Sequence, residues 1–238
     1  GCVMTSAAMG ASDLLGKPID PGTFNSTYGN GNTHSTDFSA LGIDVQRLPP
    51  NGSSASTTDP STVADQLTAA LKAGKPVMLY GTNAPGKVFH DGYSKSGSHC
   101  VLATGIDDQG NIIVNNPYSG GQEKYKDTHW PLSTLNGLHW IQIMSKDGKG
   151  ASGKGIVPSA GATIASSYAA ASGNSSATTG LATSSGAMAS AVPSGVAGLA
   201  DNGSTIQHGT YYFSQNGQRW SNDKISGMNA NIGSAGCV

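Results

Sequence analysis

A cysteine, a histidine and an asparagine stand in this chain where they could share one reaction. Cys2 opens the run "CVMTSAAMGASDLLG", ahead of Thr5, Ser6 and a helical apolar pattern. A thiol at a helix N-terminus meets unpaired backbone N–H groups and the positive end of the dipole, and both favour the thiolate. His99 stands at the start of a strand-like run in "GSHCVLATGIDDQGNIIVNNP", after a Gly-Ser turn. The "DDQG" hairpin returns the chain to Asn115, Asn116 and Pro117, and antiparallel pairing sets the end of the returning strand beside His99. Asn116 is then expected to accept from one imidazole nitrogen while the other faces the thiol, giving a nucleophile, a base and an orienting group. Each residue also has a plain structural role open to it: a buried helix-start cysteine, a capping histidine, a pre-proline turn asparagine. Their joint order and context is what favours chemistry.

The other candidates are weaker. Alternation along the strand turns Cys100 to the face opposite His99, where a buried, inert thiol is expected. With Cys237 the cysteines number three; an odd count without Cys-x-x-Cys or Cys/His spacing suggests neither a disulfide framework nor zinc, and leaves a lone reactive thiol. His34, His90, His129, His139 and His208 show no metal-ligand spacing. His139 reads as strand-borne and the others as surface residues. No metal and no organic cofactor is expected.

The elements that must position these groups are readable in part. Met4, Ala8, Ala11 and Leu15 share helical spacing, with Gly16 as a stop. The Gly- and Asn-rich "DPGTFNSTYGNGNTHS" reads as loop. In "DPSTVADQLTAALKAGKP", Val63, Leu67, Ala70 and Leu71 form one helical face, with Ser61 as cap and Gly74 with Pro76 as the end. The runs "PVMLYG", "HCVLATGID", "NIIVNN" and "HWIQIMS" read as strands. The expected fold class is therefore α+β, with helices packed on an antiparallel sheet across residues 1–146. Residues 147–203 are expected to be an Ala/Ser/Gly-rich linker, since 155–200 carry no charge and little bulky apolar surface. Folded texture returns over 204–238, where Tyr212, Phe213 and Trp220 are core or groove material.

Composition narrows the partners. A net charge of −1 gives no sign of nucleic acid or an anionic membrane surface as partner. No apolar run approaches the roughly 18 residues of a membrane span. The first residue is not Met and no signal peptide is visible, so the chain begins at a processed end or an arbitrary point of a longer one. Only 11% of the 238 residues are charged and 34 are Gly, a composition expected of an extracellular, cell-surface or virion-associated protein.

The stretches "GCVMTSAAM", "LKAGKPVMLY" and "SHCVLATGIDDQGNIIVNNP" resemble the bacteriocin-leader-peptidase-like (double-glycine peptidase-like) branch of the papain-like cysteine peptidases. The signature Tyr-x-Ser-Gln-x-x-x-x-Trp that precedes the cysteine in that branch is similar to "YYFSQNGQRWSN". The resemblance implies a papain-like fold, with Cys2 as nucleophile, His99 as general base and Asn116 as orienting residue. It further implies that Gln215 donates to the oxyanion beside the backbone N–H of the cysteine. Two departures stand out: Val3 and Met4 replace a common Gly-Pro, and Asn116 stands where many members have Asp.

In the branch the Ser-Gln…Trp segment comes before the cysteine; here it comes last and runs into "GSAGCV". Gly-Cys-Val thus occurs around Cys2 and again around Cys237, 235 residues apart. Three arrangements follow: a unit cut from a tandem array, a repeating assembly with an arbitrary start, or a circularly permuted domain. The repeat readings are favoured, with possible self-association into an array. The expected function is a cysteine hydrolase, endopeptidase or amidase, acting on peptide or amide bonds of bacterial peptidoglycan. The alternative is a structural repeat of a surface fibre or phage tail.

Overall fold

The first helix is buried on every side, which its small residues permit. In this computed structural model, residues 1–28, 38–53, 56–83, 97–118, 126–146, 206–207, 211–225 and 229–233 are described. Helix α1 (Cys2–Leu15) has every residue from Cys2 to Ser12 buried. Ala7, Ala8, Gly10 and Ala11 let the sheet approach closely: a Cβ on Gly10 would sit 2.7 Å from Met144 Sδ. Gly16 ends the helix in the left-handed region at φ 64°, a conformation that costs glycine nothing.

The sheet is antiparallel throughout. Strands β1 (Asp44–Leu48), β2 (Val77–Asn83), β3 (Gly97–Ile106), β4 (Ile112–Asn115), β5 (Thr128–Trp130) and β6 (Leu138–Ser145) run in the spatial order β1-β6-β2-β3-β4-β5. A two-residue strand β7 (Ile206–Gln207) adds to β3 at Gly105–Ile106. Alternation divides the core in two. Met78, Tyr80, Cys100, Leu102, Trp140 and Met144 join the α1 side. Val77, Leu79, Val101, Ala103 and Ile141 join Leu67 and Leu71 of α3 (Ala64–Lys72) on the other. Helices on an antiparallel sheet are the α+β, papain-like architecture the sequence implied.

Two local expectations need correction. Part of the stretch read as loop is helix α2 (Pro21–Tyr28). Asp20 caps it through Thr23 N–H at 3.0 Å, Pro21 suits its first turn, and Phe24 is fully buried in the α1 core. The cap near α3 is Asp59 rather than Ser61: its carboxylate accepts from Ser61 N–H at 2.9 Å across a 3-10 turn at Pro60–Thr62, and α3 then starts without a side-chain cap. The "DDQG" hairpin is present, closed by Asp107, whose two oxygens accept from Gln109 N–H, Asn111 N–H, the Asn111 amide and His129. His129 and these donors hold the Asp107 carboxyl well below the usual carboxylate range.

The C-terminal stretch closes over α1 and the β4 end of the sheet. Arg219 pairs with Asp20 at 2.6 Å, and Asn25 donates to the Lys224 carbonyl at 2.7 Å. Phe213, Trp220, Ile225 and Ile232 complete the α1 core. The described part of this stretch therefore packs on its own chain. The expected linker at 147–203 lies outside the described residues, as do His34, His90, His208 and Cys237.

Candidate active site

Cys2 is the first residue of α1, preceded by Gly1 as N-cap with no capping side chain. The Thr5 N–H turns back to Gly1 O at 3.0 Å. One turn on, Ser6 Oγ donates to the Cys100 carbonyl at 3.3 Å, which lays the start of α1 over β3.

His99 and Asn116 meet as the hairpin argument expects. The β3–β4 register pairs Leu102 with Asn115, so Asn116 comes level with Val101, two residues along β3 from His99 and within reach of a diagonal side-chain contact. His99 Nε2 lies 2.8 Å from Asn116 Oδ1, and Tyr118 N–H also reaches that oxygen, at 3.0 Å. A backbone N–H can only donate, so the atom it faces is the amide oxygen, and His99 Nε2 must carry the proton. Nδ1 is left as the nitrogen with a lone pair, the one a general base uses.

Burial pushes the His99 imidazole down to about 4, and the Asn116 bond works against this. Unfolded, the ring titrates near 6.5. The unfolded chain therefore binds this proton more readily, and the stability owed to neutral His99 is full above 6.5 and lost as pH falls towards 4. His99→Gln keeps an N–H donor for Asn116 and cannot titrate. It is expected to flatten that limb in thermal unfolding followed between pH 4 and 7, and an unchanged slope would place the loss in other groups.

Two cysteine expectations have different outcomes. Cys100 is fully buried, and burial pushes its thiol up to about 12, an inert group. Cys2, expected to be a lone thiol, is instead disulfide-bonded in this structure. The odd cysteine count argued against a disulfide framework, but it does not forbid a single bond at Cys2. A free thiol at Cys2 requires reduction of that bond.

The C-terminal stretch supplies the remaining wall. Gln215 N–H donates to the Pro117 carbonyl at 2.8 Å, and the Asn216 amide to the Tyr118 carbonyl at 3.0 Å. The Gln215 side chain is buried, and its Oε1 takes no hydrogen bond among the described residues. Tyr212 was read from the sequence as core or groove material; its hydroxyl donates to the Asn116 carbonyl at 3.0 Å and so holds the main chain of Asn116. Its place three residues before Gln215 in the Ser-Gln signature was the available signal.

His139 is structural. Its Nδ1 meets the Ser56 carbonyl at 2.8 Å and so carries the proton, while Nε2 accepts from the Thr82 hydroxyl at 2.8 Å. Among the described residues no group of His, Cys, Asp or Glu is arranged to hold a metal, and no helix is long and apolar enough to cross a membrane.

No curated protein and no solved structure matches the chain. A family model described as the Peptidase_C39 like family matches residues 1–146, the stretch that carries Cys2, His99 and Asn116. That match covers more than half of the chain and agrees with the fold, and the chain belongs to the Peptidase_C39-like family of papain-like cysteine peptidases.

Proposed function

We propose that the chain hydrolyses peptide or amide bonds of bacterial peptidoglycan by a Cys-His-Asn mechanism. The observation that carries the mechanism is the shared Asn116 oxygen, which fixes the His99 tautomer and leaves Nδ1 as base. Once Cys2 is reduced, Nδ1 takes its proton and the thiolate attacks the carbonyl carbon. The oxyanion is held by the Cys2 backbone N–H and the Gln215 amide. Imidazolium returns the proton to the leaving amine as the C–N bond breaks, leaving a thioester. Water, deprotonated by His99, then splits the thioester and restores the thiol.

Peptidoglycan is favoured as substrate by composition: 11% charged residues and 34 Gly suit a protein that works outside the cell, where cross-linked wall peptide is an abundant amide polymer. Purified peptidoglycan digested under reducing conditions is expected to release new amino termini or free stem peptides, read by mass spectrometry. No release by folded, reduced protein that still cleaves test peptides would remove the wall as substrate.

A second reading rests on one observation, the disulfide at Cys2. In it the papain-like fold is a scaffold repeated in a fibre or phage tail and the bond is structural. That reading requires a filamentous purified form and no cleavage after reduction.

A further inference from the structure

Asp13 takes no part in the reaction above, yet it holds the chain that completes the site. It lies in the last turn of α1, where the helix dipole disfavours a carboxylate and no basic residue compensates. Its Oδ1 accepts from Tyr211 N–H at 2.8 Å. Its Oδ2 is buried and receives no donor among the described residues. The charge that faces it is a second carboxylate, Asp127, whose backbone N–H is tied to Asn115 Oδ1 at 2.8 Å and whose φ is 50°. The 211–216 segment brings the Tyr211 and Tyr212 phenols and no charge, and the lysines nearest in sequence are Lys17 and Lys126. Among the described residues a carboxylate there has one backbone donor and no facing cation, less than a buried charge needs.

From Asp13 the segment runs directly to the site. Tyr212 donates to the Asn116 carbonyl, and Gln215 to that of Pro117. We propose that Asp13 is a positioning residue that acts as an un-ionised acid, docking the 211–216 segment against the Asn116–Tyr118 turn, so that its ionisation loosens Tyr212 and Gln215 from the site. Burial and then the Asp127 charge raise its pKa well above the ordinary 3.8, against the opposing Tyr211 bond. The folded chain thus holds this proton better than the unfolded one. Stability owed to Asp13 is full below 3.8 and is lost as pH rises towards the folded value. That sign is opposite to the one for His99.

The consequence for activity rests on the proposed peptidase reading; the docking does not. The test is thermal unfolding of the full chain from pH 4 to 9, for wild type, Asp13→Asn and Asp127→Asn. The amide of Asp13→Asn keeps an oxygen for Tyr211 N–H and adds a donor towards Asp127. Its Tm is expected to match wild type near pH 4 and to exceed it by several degrees at pH 8, with His99 cancelling from the difference. Asp127→Asn is expected to shrink the wild-type loss. Where cleavage is measurable, Asp13→Asn should extend the alkaline limb of kcat/KM. Parallel Tm profiles, or a uniform loss in Asp13→Asn at every pH, would overturn the proposal whether or not the chain proves to be a peptidase.

Discussion

Cys2→Ala is expected to abolish cleavage, lowering kcat by about 10^4- to 10^6-fold, since removing the nucleophile of a covalent mechanism removes the whole chemical path. The comparison is made with both proteins reduced, because Cys2 is disulfide-bonded in this structure and the substitution also deletes that bond. The fold should survive in reducing buffer: Cys2 contributes one small side chain to a cluster that also holds Met4, Met9, Phe24, Trp140 and Trp220. A Cys2→Ala protein with unfolding like that of reduced wild type but without activity separates chemistry from packing. Equal activity in the two would move the nucleophile elsewhere. Cys100 is a poor substitute, with its thiol raised to about 12 and sealed under α1.

Trp220→Ala is expected to cost about 3–5 kcal/mol, the usual loss for a buried Trp. Its ring meets Phe213 edge-on at 5.7 Å, and its Nε1 donates to the Ser214 carbonyl at 2.8 Å. Gly22 lies so close that a Cβ there would stand 2.9 Å from Trp220 Cβ, so α2 and the C-terminal stretch lock together at this point. The side chain anchors the segment that carries Tyr212 and Gln215. Activity should therefore fall more steeply than the folded fraction at the assay temperature. Trp220→Phe keeps most of the packing and leaves the Ser214 carbonyl without this donor, at a cost of about 1–3 kcal/mol. Urea unfolding followed by circular dichroism gives both values. A loss below 1 kcal/mol for Trp220→Ala would mean that the stretch does not close on its own chain in solution.

The parts legible in the sequence are those fixed by neighbours in the chain. The His99–Asn116 contact spans one hairpin, and the turn chemistry of "DDQG" with alternating β3 and β4 was enough to place it. Helix α1 announced itself by spacing and by Gly16. The edge strands did not: β1 is five residues with only partial burial, held by Arg47 over the Trp140 ring at 4.4 Å, and β5 is three residues. Helix α2 has little amphipathic pattern and exists because Phe24 and Asn25 find partners far along the chain. The contacts that complete the candidate site are the least local. Asp13 and Tyr211 are 198 residues apart and Asn116 and Tyr212 are 96 apart, separations at which spacing carries no signal. The disulfide at Cys2 is of the same kind, since three cysteines specify no pairing.

The most direct measurement is the rate of Cys2 alkylation by iodoacetamide from pH 5 to 10, in reduced wild type and reduced His99→Gln, with each site read by peptide mass spectrometry. An activated nucleophile beside a base predicts a Cys2 pKa well below the ordinary value of about 8.5, lost in His99→Gln, while Cys100 stays unmodified. Cys2 titrating like an unperturbed thiol in both proteins would contradict a Cys-His site and leave the papain-like fold as scaffold.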